Sequence, residues 1–116
     1  MKNYNPIEAK SFEFSVRAIN MYKYLLSKSE YVLSKQFLRS ATSIGANVSE
    51  AERAQSMADF RAKMNIALKE ANETNYWLRL LQRTEYITAK EFLSMDSDLN
   101  EIISILTAIC KTTENQ

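Results

Sequence analysis

Three glutamates, one cysteine and a scatter of lysines and arginines are the side chains of this sequence with chemistry to offer. Glu70 and Glu73 are three residues apart, so they share a helical face, and Glu50 lies upstream in "NVSEA". Carboxylates in bundles can hold two metals, but such centres complete their ligand sets with Glu-x-x-His pairs, and this chain has no histidine. No metal and no cofactor is therefore expected, and the glutamates read as structural partners of cations. Cys110 falls on or beside an apolar stripe, and without an imidazole neither it nor a serine has the usual base of a nucleophile. It reads as a buried structural thiol. A single glycine cannot form a phosphate-cradling loop. No catalytic residue is expected, and the chain does not read as an enzyme.

Binding chemistry is what remains. Tyr76 and Trp77 stand close to Arg79 and Arg83, an arrangement that can stack bases against aromatic and guanidinium faces. Trp77 also lies on an apolar helical face, which favours core or subunit contact for it and leaves Tyr76 more open. Lys35, Arg53, Arg61 and Lys63 fall in the second and third helical segments and the loop between them, while Lys10 and Arg17 lie one helical face apart in the first. Convergence of these six on one side of an assembly would multiply a modest charge into a strong field. The competing expectation is that they are solvated or paired, since a net charge of +1 is weak support for nucleic-acid binding. Residues 1–69 carry 11 Lys and Arg against 6 Asp and Glu, and residues 70–116 carry 4 against 8. Such a split more often means that neighbouring helices attract each other than that one face awaits a partner.

Four helical segments must position these residues. Pro6 after Asn5, with Glu8 at the third position, is a helix start, and Ile7, Phe14, Ala18, Met21 and Leu25 follow in helical register to about Ser27. Phe12, Ile19 and Leu26 form a second stripe that is expected to widen the buried face. A second segment opens near Ser34 and carries Phe37, Ala41, Ile44, Val48 and Ala51. That register runs straight through "SATSIGANVSEA", so Gly45 is read as an interior helix residue. Glycine there costs about 1 kcal/mol relative to alanine, which implies that its missing side chain serves a close helix contact. Ser56 and Asp59 open a third segment, to about Arg83, whose apolar heptads are interrupted only by Thr74. Thr88 and Glu91 open a fourth, expected to fray after Lys111. Ile66, Trp77, Leu80 and Ile103 are apolar positions beyond what one seam needs. Helices of about 18 to 26 residues would make a rod roughly 27 to 40 Å long. The expected fold is all-α, an up-down-up-down antiparallel four-helix bundle formed by residues 1–116 as a single domain.

The apolar share of 46%, the one glycine and the one proline fit helices joined by short loops. A lone cysteine excludes an intramolecular disulfide scaffold. No apolar run reaches the roughly 18 residues of a membrane span, and "MKNYNPIEAK" lacks the apolar stretch of a signal peptide. A cytoplasmic protein without a membrane partner is the expectation.

The segment "QFLRSATSIGANVSEAERAQSMADFRAKMNIALKEANETNYWLRLL", residues 36–81, resembles the bacterial four-helix-bundle proteins called 23S rRNA intervening-sequence proteins. The resemblance is carried by Gln36, Arg39, Ser40, Ser43, Ile44, Ala46, Asn47, Val48 and Glu50, then by Phe60, Ile66, Ala67, Glu70 and Glu73. Ala51 stands where many members have glycine, and Ser49 stands where the motif has alanine, so the end of that helix is open to shift. Gly45 completes the motif segment. The resemblance implies a bundle that assembles as a homopentamer and has no enzymatic reaction. It also implies similarity to the accessory variability determinant protein of diversity-generating retroelements, which binds nucleic acid and a reverse transcriptase. Two functional classes follow, a homo-oligomeric binder of RNA, DNA or ribonucleoprotein through a repeated basic surface, and a protein-binding scaffold with no nucleic-acid ligand.

Two contacts are expected from the pattern. If the second and third helices fold back near residue 54, Arg39 lies level with Glu70, so an ion pair of Arg39 with Glu70 or Glu73 should form. The small residues Ser40, Ser43, Gly45, Ala46, Asn47 and Ser49 cannot all face one neighbour, because a helix turns about 100° per residue. Some should meet the bundle and others a second subunit or water.

Overall fold

The computed structural model describes residues 6–114 and contains α1 (Pro6–Ser27), α2 (Leu33–Ala51), α3 (Met57–Arg83) and α4 (Ala89–Thr113). The expected N-cap Asn5 lies outside the described residues. Each helix packs on two neighbours in a ring, α1 on α2, α2 on α3, α3 on α4 and α4 back on α1. Short loops make every pair antiparallel, giving an up-down-up-down bundle 45 Å long with a cross-section of 23 × 21 Å.

The start signals act as the sequence implied. Ser56 accepts from the Asp59 backbone N–H at 3.1 Å. Thr88 and Glu91 form a full capping box, each side chain accepting from the other's backbone N–H. The start of α2 has a different cap. The carboxylate of Glu30 accepts from the backbone N–H groups of Val32, Leu33 and Ser34, and the Ser34 hydroxyl donates to the Glu30 carbonyl at 2.8 Å. Glu30 is buried. Burial pushes its pKa up, and the three backbone donors outweigh that and hold it below the ordinary carboxylate value.

Both loops at that end use the same turn. Glu30 N–H donates to the Leu25 carbonyl and Tyr86 N–H to the Leu81 carbonyl, with Ser29 and Glu85 bonded back inside those turns. These are Schellman closures. Ser29 and Glu85 occupy the left-handed region with φ of 63° and 69°, where glycine is the usual residue.

The core is a column of Ile7, Phe14, Leu25, Phe37, Ile44, Met64, Leu78, Leu99 and Leu106, each 1% exposed or less. Thr74, the break in the α3 heptads, is fully buried and its hydroxyl lies 2.9 Å from that of Ser40. Each hydroxyl also has a carbonyl of its own helix in reach, Glu70 for Thr74 and Phe37 for Ser40. A polar pair is therefore satisfied inside the α2–α3 seam.

Gly45 lies inside α2, as its register required. A methyl group built on it would sit 3.2 Å from the Ser11 carbonyl oxygen and 3.3 Å from the Ser15 hydroxyl, so α1 and α2 are in close approach there. The small residues divide as expected: Ser40 is buried, Ser43, Gly45 and Asn47 are half-buried, and Ala46 and Ser49 are exposed. Asn47 donates to the Ser43 carbonyl of its own helix at 2.8 Å. The helix ends at Ala51, the departure residue of the motif.

Two expectations need correction. Phe12 and Ile19 do not widen the buried face, because they are 66% and 41% exposed, and only Leu26 of that stripe is half-buried. Their side of α1 is turned away from the core that Ile7, Phe14, Ala18 and Leu25 enter. Helix α4 runs two residues past Lys111, where Arg61 donates to the Thr113 carbonyl at 2.9 Å and closes the last turn.

Candidate functional site

Of the six cations singled out from the sequence, Lys10, Arg53, Arg61 and Lys63 fall at the end of the bundle away from the α1–α2 and α3–α4 loops, while Arg17 and Lys35 lie apart from them. Lys10 pairs with Glu101 at 3.0 Å, and Arg17 reaches Asp98 at 2.5 Å and the Ser94 hydroxyl at 2.7 Å, so both tie α1 to α4. Lys63 lies 3.4 Å from Glu50, and Arg61 is committed to the end of α4. Lys35 and Arg53 lie near opposite ends of α2, about 27 Å apart along its axis. The opposite charges of the two chain halves are thus used largely between neighbouring helices.

The residues of the motif segment serve the same end. Arg39 pairs with Glu70 at 3.2 Å and with Glu73 more closely, and the Trp77 indole N–H donates to Glu73 at 2.9 Å. The hydrogen bond to Glu73 holds the Arg39 guanidinium above its usual value against the opposing effect of burial. Glu73 is held below its usual value, first by the Trp77 donor and then by Arg39. Arg39 is nearly half exposed, so the cluster fixes the α2–α3 register more than it adds stability. With Glu50 on Lys63 and Glu70 and Glu73 on Arg39, none of the three carboxylates is spare. Trp77 is half-buried against the core, and Tyr76 is 48% exposed with its ring edge-to-face on Trp77 at 5.2 Å.

Cys110, expected to be buried, is half-buried, and that burial still pushes its thiol up, away from the thiolate a nucleophile needs. Among the described residues no group of three His, Cys, Asp or Glu is placed to hold a metal ion, and no helix is long and apolar enough to cross a membrane.

Two surfaces emerge that the sequence reading had not assembled. One is the stripe of Phe12, Val16 and Ile19 along α1, all 40% exposed or more, spaced four and three residues apart on one face. The other is the end where the α1–α2 and α3–α4 loops meet. Residues 20–35 and 76–91, which the antiparallel fold places there, contain Lys23, Lys28, Lys35, Arg79, Arg83 and Lys90 against Glu30, Glu85 and Glu91. None of these six cations takes part in an ion pair among the described residues. Lys28 stands over the Tyr24 ring at 5.3 Å and Arg79 over the Tyr76 ring at 5.6 Å. The sequence signal was present but split, since the two basic stretches lie some fifty residues apart and only the fold joins them.

Comparison with known proteins agrees with this architecture. A crystal structure at 1.70 Å of a protein of unknown function from the S23 ribosomal protein family of Bacteroides thetaiotaomicron VPI-5482 superposes with a TM-score of 0.89. It is 58% identical, over 90% of this chain and 98% of that one. No curated protein matches the chain. The 23S rRNA-intervening sequence protein family matches residues 5–108, and over that span the sequence and the bundle agree: the chain belongs to this family.

Proposed function

We propose that this protein is a non-enzymatic, self-associating bundle that presents a repeated basic surface to nucleic acid or ribonucleoprotein. The observation that carries the assembly is the uncovered stripe of Phe12, Val16 and Ile19. Three large apolar side chains aligned on one helix face form the kind of patch that a subunit contact removes from water. A closed ring such as a pentamer needs two different patches that fit one another. Ile66 on α3 and Leu93 on α4, 42% and 64% exposed, are separate apolar positions on other helices that such a second contact would draw on.

Light scattering on a sizing column tests the assembly, with an oligomer expected and a monomer at micromolar concentration rejecting it. Phe12→Glu with Ile19→Glu should yield a folded monomer. For the ligand, binding to RNA or DNA should weaken steeply with salt as phosphate contacts release counterions.

The protein-scaffold reading keeps one observation in its favour, the internal use of Lys10, Arg17, Arg61 and Lys63. An oligomer with no affinity for either nucleic acid at low salt would leave it as the surviving reading.

A further inference from the structure

The loop end of the bundle combines three features. The first is charge: six cations against three carboxylates, one of which, Glu30, is turned inward onto the α2 start. The opposite end, residues 6–13, 50–63 and 105–114, has five cations against six carboxylates. The chain's net charge of +1 therefore conceals a basic end, and such a local excess focuses an attractive field on anions.

The second feature is aromatic. Tyr24, Tyr31, Tyr76 and Tyr86 all fall in the same two stretches, and Lys28 on Tyr24 and Arg79 on Tyr76 already pair a cation with a ring face. The third feature is space. Two clefts adjoin Tyr24. One, of about 450 Å³, runs between α1 and α4 with Met21 and Met95 in its walls and Lys90 and Glu91 at its side, the Glu91 carboxylate already accepting from the Thr88 N–H. The other, of about 320 Å³, lies under the α3–α4 loop beside Lys28 and Tyr86. Arg17 also borders the first cleft but is held by Asp98 and Ser94.

From this combination we infer that the loop end is a site for single-stranded nucleic acid, in which an unpaired base enters the α1–α4 cleft against Tyr24 while Lys28 and Lys90 take the flanking phosphates. Aromatic faces interleaved with cations hold unpaired bases without regard to sequence, whereas a duplex hides its base faces from such rings. A strand leaving the Tyr24 cleft can cross the α3–α4 loop to Arg79 and Tyr76. The cross-section of 23 × 21 Å is a length of about four nucleotides, the lower end of known single-strand site sizes. This inference rests on the nucleic-acid reading proposed above and specifies its site and ligand class.

The test is fluorescence anisotropy with labelled oligouridylate of about twelve nucleotides, compared with an RNA duplex of the same length and with phosphatidylserine vesicles. The single strand should bind more tightly than the duplex. Lys28→Gln with Lys90→Gln should reduce the slope of log affinity against log salt by about 1.4, since a single strand releases about 0.7 counterion per phosphate contact. Tyr24→Ala should weaken binding about tenfold, and since Tyr24 packs against the core, the exposed Tyr76→Ala supplies a second variant with the same direction and no burden on folding. Glu85→Gln, which removes an opposing charge at the loop end, should tighten binding.

Wild-type binding that survives in all of these variants would place the ligand elsewhere and overturn the inference while leaving the nucleic-acid reading intact. Equal affinity for strand and duplex, or for vesicles with no effect of the tyrosine variants, would overturn it in favour of a simple basic surface that takes any polyanion. Absence of any binding by the wild type at low salt would overturn both.

Discussion

Gly45→Ala sets two effects of known direction against each other at one atom. In a helix interior alanine is favoured over glycine by about 1 kcal/mol. The added methyl would meet the Ser11 carbonyl oxygen at 3.2 Å and the Ser15 hydroxyl at 3.3 Å. Neither obstacle is the free end of a long side chain. One is the backbone of α1, and the other donates to that same carbonyl at 3.1 Å. Relief therefore requires α1 to move outward by a few tenths of an ångström along a seam that also places Ile7, Phe14 and Ala18 in the core. Overpacking of this kind costs about 1–3 kcal/mol, so the steric cost equals or exceeds the propensity gain. A net loss of about 1 kcal/mol is expected, which lowers Tm by about 4 °C in a domain of this size.

Gly45→Leu carries the same collision with three more carbons and should lose several times as much or fail to fold. Ala46→Leu is the internal control, since Ala46 is exposed in the chain. It should leave the monomer's stability unchanged within about 0.5 kcal/mol and disturb only an assembly that covers this face. Thermal unfolding by circular dichroism reads all three. A Gly45→Ala protein melting several degrees above the wild type would show the propensity gain unopposed and refute the close approach of α1 and α2.

Glu30→Gln should destabilise the protein by about 1–2 kcal/mol at neutral pH, because a charged acceptor of three backbone N–H groups is lost. Glu30 has its folded-state pKa lowered from 4.5, so its contribution is present above that value and fades as pH falls through the depressed one. Denaturation of wild type and variant followed as a function of pH should converge under acid, and a constant difference down to low pH would reject the cap. Thr74→Val keeps the shape and removes one hydroxyl of the buried pair, leaving Ser40 with only its own helix's Phe37 carbonyl. A loss of about 1 kcal/mol is expected, and Ser40→Ala in the same background should cost less than it does alone in urea titrations. Ser29→Gly and Glu85→Gly each relieve a left-handed backbone that costs non-glycine residues about 1–2 kcal/mol, offset in part by the freer unfolded chain. Each should raise Tm by a few degrees, and a lowered Tm would mean that the side chain contributes more than the strain.

The helices were legible because their signals are local. Ser56 and Asp59, Thr88 and Glu91, and the apolar register of each segment are properties of neighbouring residues, and they placed the four elements within a residue or two. The Arg39 contact with Glu70 and Glu73 was legible from a single added assumption, the fold-back near residue 54. What escaped depended on which direction a helix face turns in three dimensions. Phe12 and Ile19 hold an apolar spacing that serves a buried stripe and an exposed one equally well, and only the rotation of α1 in the bundle decides between them. Glu30 escaped for another reason: it caps α2 from two to four residues before the amides it serves, outside the Ser, Thr, Asp or Asn pattern by which helix starts are recognised. The basic end escaped because Lys28 and Lys90 belong to different hairpins.

The polar residues by which the family is recognised are mostly consumed inside this fold. Arg39, Glu70 and Glu73 hold α2 to α3, Ser40 meets Thr74 between the same helices, Asn47 bonds back to its own helix, and Gly45 admits α1. These contacts specify a bundle, and a side chain held in this way has little left with which to recognise a ligand. Recognition needs charge and aromatic surface that the fold leaves over. At the loop end the fold leaves over Lys23, Lys28, Arg83 and Lys90 with Tyr24 and Tyr76, all inside the family span of residues 5–108 and none among the residues that carry the sequence resemblance. The residues that mark the fold and the residues free to bind are therefore nearly disjoint, which is the division expected when function is grafted onto a scaffold. The motif residues hold α2 to α3 and admit α1, and the nucleic-acid site proposed for the loop end is built from other residues.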